Sequence, residues 1–190
     1  MIIVAGPPGS GKSSLYPVSS FGVAYFNADD RAAELNGGSY TGITKQVRQQ
    51  VNREFETFVM CQIEFKESFA VETTLRSNVS FEQAQYAKNR GFTTEMRYLA
   101  LQSFGLHLER VKARADAGGH SASEATLRRI YESSLRNLGR AIREMDELWV
   151  YGNTRLDAEH PLVLEAHEGR ILYAAEPLPD WLHTALWNVL

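Results

Sequence analysis

Short apolar runs alternate along the chain with longer stretches in which apolar residues return every third or fourth position. Ile2-Ile3-Val4-Ala5, Val23-Ala24-Tyr25-Phe26, Ser68-Phe69-Ala70-Val71, Phe92 to Leu101 and Glu147 to Tyr151 read as five strands. Between them, a short helix limited by Pro17 follows the first strand. From Thr44 to about Lys66, Val47, Val51, Phe55, Phe58, Gln62 and Phe65 mark one face of a long helix. A third helix runs from about Asn78 to Arg90 and is closed by Gly91, and a fourth runs from Ser103 to Ala117, before the break at Gly118-Gly119-His120. Ser121 and Glu124 have capping-box spacing, with Leu127, Ile130, Tyr131, Leu135 and Leu138 as the apolar stripe of the next helix. Such alternation predicts an α/β sandwich on a mainly parallel five-stranded sheet. The tail adds a hairpin, Leu162 to Ala166 against Arg170 to Tyr173, and a helix from about Pro179.

The turn after the first strand carries the strongest chemical signal. Gly6-Pro7-Pro8-Gly9-Ser10-Gly11-Lys12-Ser13 fits G-x-x-x-x-G-K-[ST], and Ser14 extends it. Glycines let the backbone turn its N–H groups onto a phosphate chain, and the following helix starts with its positive end toward the same anion. Lys12 is placed for the outer phosphates and Ser13 for Mg²⁺, a hard cation that takes oxygen ligands. The loop predicts that the chain binds ATP or GTP.

Composition narrows this only by exclusion. The 190 residues, 44% of them apolar, suit a single domain over the whole length, and a net charge of −3 makes nucleic acid an unlikely partner. Cys61, the sole cysteine, lies in a helical pattern and reads as packing. A strand beginning at residue 2 leaves no room for a signal peptide, and no apolar run approaches membrane-spanning length, which predicts a cytoplasmic protein with no membrane partner.

In open parallel sheets ligands sit at the carboxyl ends of the strands. That rule gathers Lys12, Ser13, Asp29, Asp30, Glu72, Thr73, Thr74, Arg76 and the Gly152-Asn153 turn into one crevice. Asp29 suits an acid–base role toward an acceptor hydroxyl, although Asp29 or Asp30 would equally serve to cap the helical segment from Arg31. Glu72 suits a carboxylate for Mg²⁺ or its water, or else a solvated strand end; Thr73, Thr74 and Arg76 suit either an acceptor or turn chemistry. His107, Arg110 and Arg114 share one helical face and read as part of a lid over about residues 103–125, with Arg128 on the next helix the best placed to join them. Arginines there would neutralise charge on a leaving phosphoryl group.

Taken together, GPPGSGKSSLYP, FNADDRA, FAVETTL, RVKARADAGGHSASEATLRRIYESSLRNL and VYGNT resemble the zeta toxin family of P-loop kinases over roughly residues 1–155. The resemblance implies a nucleoside-kinase-like P-loop sandwich and transfer of the ATP γ-phosphate to a hydroxyl of a small molecule, in that family a UDP-N-acetyl sugar. It implies that Gly6 to Ser14 hold nucleotide and Mg²⁺, that Asp29 matches the catalytic aspartate and Arg110 a lid arginine, and that Asn153 lies by the adenine. His120 stands where those proteins tend to carry a further arginine, which leaves Arg114 or Arg128 to supply that charge. An antitoxin protein is the partner the resemblance suggests. A nucleoside, polynucleotide or other metabolite kinase, and a nucleotide-binding regulatory switch, are the alternative readings.

Overall fold

The computed structural model describes residues 1–116, 122–153 and 160–186. Their elements in chain order are β1 (Ile2–Ala5), α1 (Lys12–Leu15), β2 (Ala24–Phe26), α2 (Ala28–Leu35), α3 (Lys45–Phe65), β3 (Phe69–Thr73) and α4 (Val79–Lys88). These are followed by β4 (Glu95–Leu101), α5 (Phe104–Asp116), α6 (Glu124–Glu144), β5 (Glu147–Asn153), β6 (Leu162–His167), β7 (Arg170–Ala174) and α7 (Asp180–Leu186).

Five strands pair in parallel in the order β2-β3-β1-β4-β5, the predicted core. β1 is wholly apolar, and β3 and β4 carry the apolar runs Phe69 to Val71 and Tyr98 to Leu101, because both faces of the sheet are covered there. Ile3, Ala5, Phe69, Val71, Met96, Tyr98, Leu148 and Val150 belong to a continuous core with Val59, Ile63, Ala84, Leu138 and Ile142 of the helices. The opposite face is thinner: Val4, Ala70 and Leu99 are covered by Val18, Leu15, Tyr16 and Phe21 from the segment just after the phosphate-type loop.

The hairpin is not a separate appendage. β6 pairs antiparallel with β5, and β7 with β6, so the described residues form one seven-stranded sheet. An open β5 edge would leave a row of unpaired backbone groups, and β6 satisfies them. Gly152 and Asn153 likewise continue β5 rather than forming a turn, because Ala100 and Leu101 extend β4 far enough to pair with them.

Local signals shift several boundaries. β4 begins at Glu95, not Phe92, since the Phe92 N–H donates back to the Ala87 carbonyl at 3.1 Å and the Thr94 N–H to Asp146 Oδ2 at 2.8 Å rather than to a neighbouring strand. α3 buries Val51, Val59 and Ile63, whereas Phe65 is 75% exposed, because the helix ends there with Lys66 in the left-handed region. Cys61 is exposed on the same helix and does not pack. Ser123 caps α6, its hydroxyl accepting from the Thr126 N–H at 3.4 Å; Ser121 lies outside the described residues. Among the described residues no helix is long and apolar enough to cross a membrane.

Candidate functional site

The loop between β1 and α1 threads between two strand ends. The Gly6 N–H donates to the Thr73 carbonyl at 3.2 Å, on the β3 side. On the β4 side a methyl group at Gly6, where φ is 142°, would overlap the Leu99 carbonyl oxygen, so only glycine lets the chain pass. α5 packs on the other flank: at Gly9 an added Cβ would lie 2.8 Å from the His107 carbonyl oxygen and 3.2 Å from Val111 Cγ2.

Lys12 is only 7% exposed. Its ammonium donates to the carbonyls of Gly6 at 2.9 Å and Pro7 at 3.2 Å and lies 3.8 Å from Glu72 Oε1. Burial lowers its pKa, while Glu72 and then Asp29 oppose that effect. Ser13 Oγ donates to Glu72 Oε2 at 2.9 Å, and Asn27 Nδ2 approaches the same oxygen at 3.4 Å. Glu72 is therefore a 14%-exposed carboxylate gripped from the loop and from the end of β2, not a solvated strand end.

Asn27 also settles the capping of α2. Its side-chain oxygen accepts from the backbone N–H groups of Asp29 at 3.0 Å and Asp30 at 3.3 Å, so the helix begins at Ala28 and neither aspartate is its cap. Asp30 Oδ1 accepts instead from the Tyr40 hydroxyl at 2.9 Å. The exposed Asp29 carboxylate has no hydrogen-bond partner among the described residues and faces the cleft. Asn27 escaped the sequence reading, although an Asn directly before an acidic first turn is a recognisable cap signal.

His107 is not a lid residue. Its Nδ1–H donates to the Pro8 carbonyl at 3.0 Å and its Nε2 accepts the Leu101 N–H at 2.9 Å, joining the loop to the end of β4. Tyr131 of α6 packs against the ring at 5.0 Å. Burial, opposed by the Pro8 hydrogen bond and assisted by Lys12 and Arg110, pushes the imidazole down to about 4. This fixes the base of α5 on the loop and leaves Arg110 and Arg114 on the cleft wall. Arg110 Nη1 lies 3.5 Å from the Gly9 carbonyl oxygen. Arg128 instead pairs with Glu124 at 3.5 Å, lies over the Phe104 ring at 4.2 Å, and is absent from the cleft lining. Gly118, Gly119 and His120 lie outside the described residues, as does the Asn153 side chain.

The cleft measures about 780 Å³. Pro8, Gly9, Gly11, Lys12, Ser13 and Ser14 form one wall, with Asp29, Glu72, Thr73, Thr74 and Arg76 beside it. Gly6, Pro7 and Ser10 are outside this lining, beneath the loop's surface. Thr73 also performs turn chemistry: its Oγ1 accepts from the Leu75 N–H at 3.1 Å. The far wall belongs to α3, whose Arg48, Asn52, Phe55 and Glu56 face the cleft. Phe55 belongs to the apolar stripe that the sequence marks on this helix, whereas Arg48, Asn52 and Glu56 carry no sequence signal, since polar residues on a helix read as surface.

The residues fit a bound nucleoside triphosphate. Gly6, Gly9 and Gly11 all have positive φ, as a loop that wraps an anion needs, and Ser10 Oγ is buried without a partner among the described residues. Ser13 and Glu72 offer hard oxygens for Mg²⁺. Among the described residues no three His, Cys, Asp or Glu side chains cluster, so such an ion would be completed by phosphate oxygens and water.

No family model matches the chain. A protein of uncharacterised function from Haemophilus influenzae is 27% identical over 124 residues, covering 65% of this chain and 86% of the relative. Among solved structures, a chain of the native AvrRxo1-ORF1:AvrRxo1-ORF2 complex superposes with a TM-score of 0.69 at 17% identity, over 99% of this chain and 70% of that one. The same complex with ATP gives 0.67 at 17% identity, over 90% of this chain; the chain spans 59% of that neighbour. A chain of the PezAT chromosomal toxin–antitoxin system of Streptococcus pneumoniae gives 0.64 at 15% identity, over 98% of this chain and 78% of that one. Strand order and superposition agree, and this chain has the α/β fold that these neighbours share.

Proposed function

We propose that this chain is an ATP- and Mg²⁺-dependent kinase that phosphorylates a hydroxyl group of a small molecule, with a nucleotide sugar as the acceptor its motifs suggest. The carrying observation is that Asn27 caps α2, which leaves the Asp29 carboxylate on the cleft beside Lys12, Ser13 and Glu72. When bound, ATP would supply the phosphoryl group and Mg²⁺ positive charge to offset that of the phosphates.

The chain's own residues would do the rest. Backbone N–H groups from Gly9 to Ser13 and the Lys12 ammonium hold the phosphates. Ser13 and Glu72, already hydrogen-bonded to one another, hold the metal or its water. Asp29 orients the acceptor hydroxyl and takes its proton, and Arg110 and Arg114 stabilise the charge that develops on the transferred group. Arg48, Asn52 and Arg76 line the space left for the acceptor. The ATP in the AvrRxo1 complex supports the donor half of this reading, and the two-protein composition of that complex and of PezAT supports an antitoxin-like partner.

The test is to incubate the protein with γ-labelled ATP, Mg²⁺ and a panel of UDP-sugars, nucleosides and short RNA, and to follow the label. Transfer to a small-molecule hydroxyl is expected, abolished by Lys12→Ala and cut far more than ATP affinity by Asp29→Asn. Full turnover in Asp29→Asn would refute the acceptor-site assignment. Label appearing only in RNA would favour the polynucleotide alternative.

A further inference from the structure

The nucleotide wall of the cleft includes one side chain from neither the loop nor α5. His160 precedes Pro161 in the connection to β6, and its ring lies over the last glycine of the loop: His160 Nε2 is 3.2 Å, and Cε1 3.9 Å, from where a Cβ of Gly11 would stand. Arg110 Nη1 reaches within 3.5 Å of the same point from α5. Two nitrogen-bearing side chains from separate elements thus converge on the residue whose neighbours' N–H groups would face a polyphosphate.

The placement is held by backbone, one residue away. The Gly152 N–H donates to the Pro161 carbonyl at 3.1 Å, and Tyr151 pairs with Leu162 in the β5–β6 register. A residue before proline is biased to extended backbone, which restricts how His160 can move from this position. The ring is half-buried and lines the cleft. Burial first and Arg110 second lower its pKa, so it stands beside that guanidinium as a neutral ring with one N–H to donate.

We propose that His160 is a nucleotide-positioning residue that, with Arg110, donates to the polyphosphate of the donor from the β5–β6 connection. This rests on the reading of the Gly6–Ser13 loop as a nucleotide site. A base-stacking role for the ring is the competing assignment.

Calorimetric titration of ATP, inorganic tripolyphosphate and adenosine into wild type and the variants His160→Ala, His160→Phe and His160→Gln separates the two. Loss of one hydrogen bond to a charged group weakens binding about tenfold. ATP and tripolyphosphate are expected to lose about that factor in His160→Ala and His160→Phe and to stay within about threefold of wild type in His160→Gln, which keeps an N–H donor. Adenosine should be unaffected. Wild-type affinities in His160→Ala, or equal losses for adenosine and ATP that His160→Phe restores, would overturn the assignment. If wild-type protein bound neither ATP nor tripolyphosphate, or Lys12→Ala bound them as tightly as wild type, the nucleotide reading itself would fail.

Discussion

Lowering the pH from 7 to 4 should release the phosphate-type loop from β4 through one side chain. His107 holds the two together only while neutral, since Nε2 must accept the Leu101 N–H as Nδ1–H donates to Pro8. Its folded pKa of about 4 lies below the ordinary 6.5, so between those values the unfolded chain binds the extra proton. The stabilisation is complete above pH 6.5 and is lost as pH falls through 4. At 1.36 kcal/mol per tenfold change in proton activity, the interval is worth about 3 kcal/mol, a large part of an ordinary domain's stability. Urea unfolding of wild type and His107→Gln at half-unit steps from pH 7.5 to 4 measures it. Carboxylates protonate in both proteins and cancel in the difference. His107→Gln should be the less stable protein at pH 7, and the gap should close by about 3 kcal/mol by pH 4. A pH-independent difference would refute the buried neutral hinge.

The remaining predictions probe the same site. Gly9→Ala places a Cβ 2.8 Å from the His107 carbonyl oxygen at a φ of +78°, and should cost about 1–3 kcal/mol in urea unfolding and weaken ATP binding; unchanged values would deny that α5 braces the loop. Asn27→Ala removes the α2 cap and should destabilise by about 1 kcal/mol, with a loss of turnover as Asp29 and Glu72 lose their support. Turnover at the wild-type rate would count against that coupling. Glu72→Gln should raise the Mg²⁺ concentration needed for half-maximal phosphoryl transfer while leaving metal-free nucleotide binding nearly intact, and an unaltered Mg²⁺ dependence would remove Glu72 from the metal site.

Much of the fold was legible because its signals are local. Ile2 to Ala5 and Ser68 to Val71 are too short and too apolar to be anything but buried strands, and the stripe from Leu127 to Leu138 places α6 correctly. Gly152-Asn153 misled because strand extension depends on a partner's length, and here Leu101 of β4 supplies the pairing. Helical spacing alone groups His107 with Arg110 and Arg114. Spacing tells which residues share a face, but not whether that face meets solvent or the loop. Arg128 shows the reverse: a plausible lid position turned out to face Glu124 and Phe104.

The sequence by itself determined the parallel α/β class, the phosphate-type loop and the acidic and basic residues that follow the strands, because each depends on neighbours within a few positions. Only the tertiary structure decided that Glu72 closes on Ser13 and that α3 furnishes the far wall with Arg48 and Asn52. It alone brings His160 to Gly11, across 149 positions of chain. Those contacts arise from how the strands order themselves in the sheet, and burial and hydrogen bonding summed over the whole core select that order.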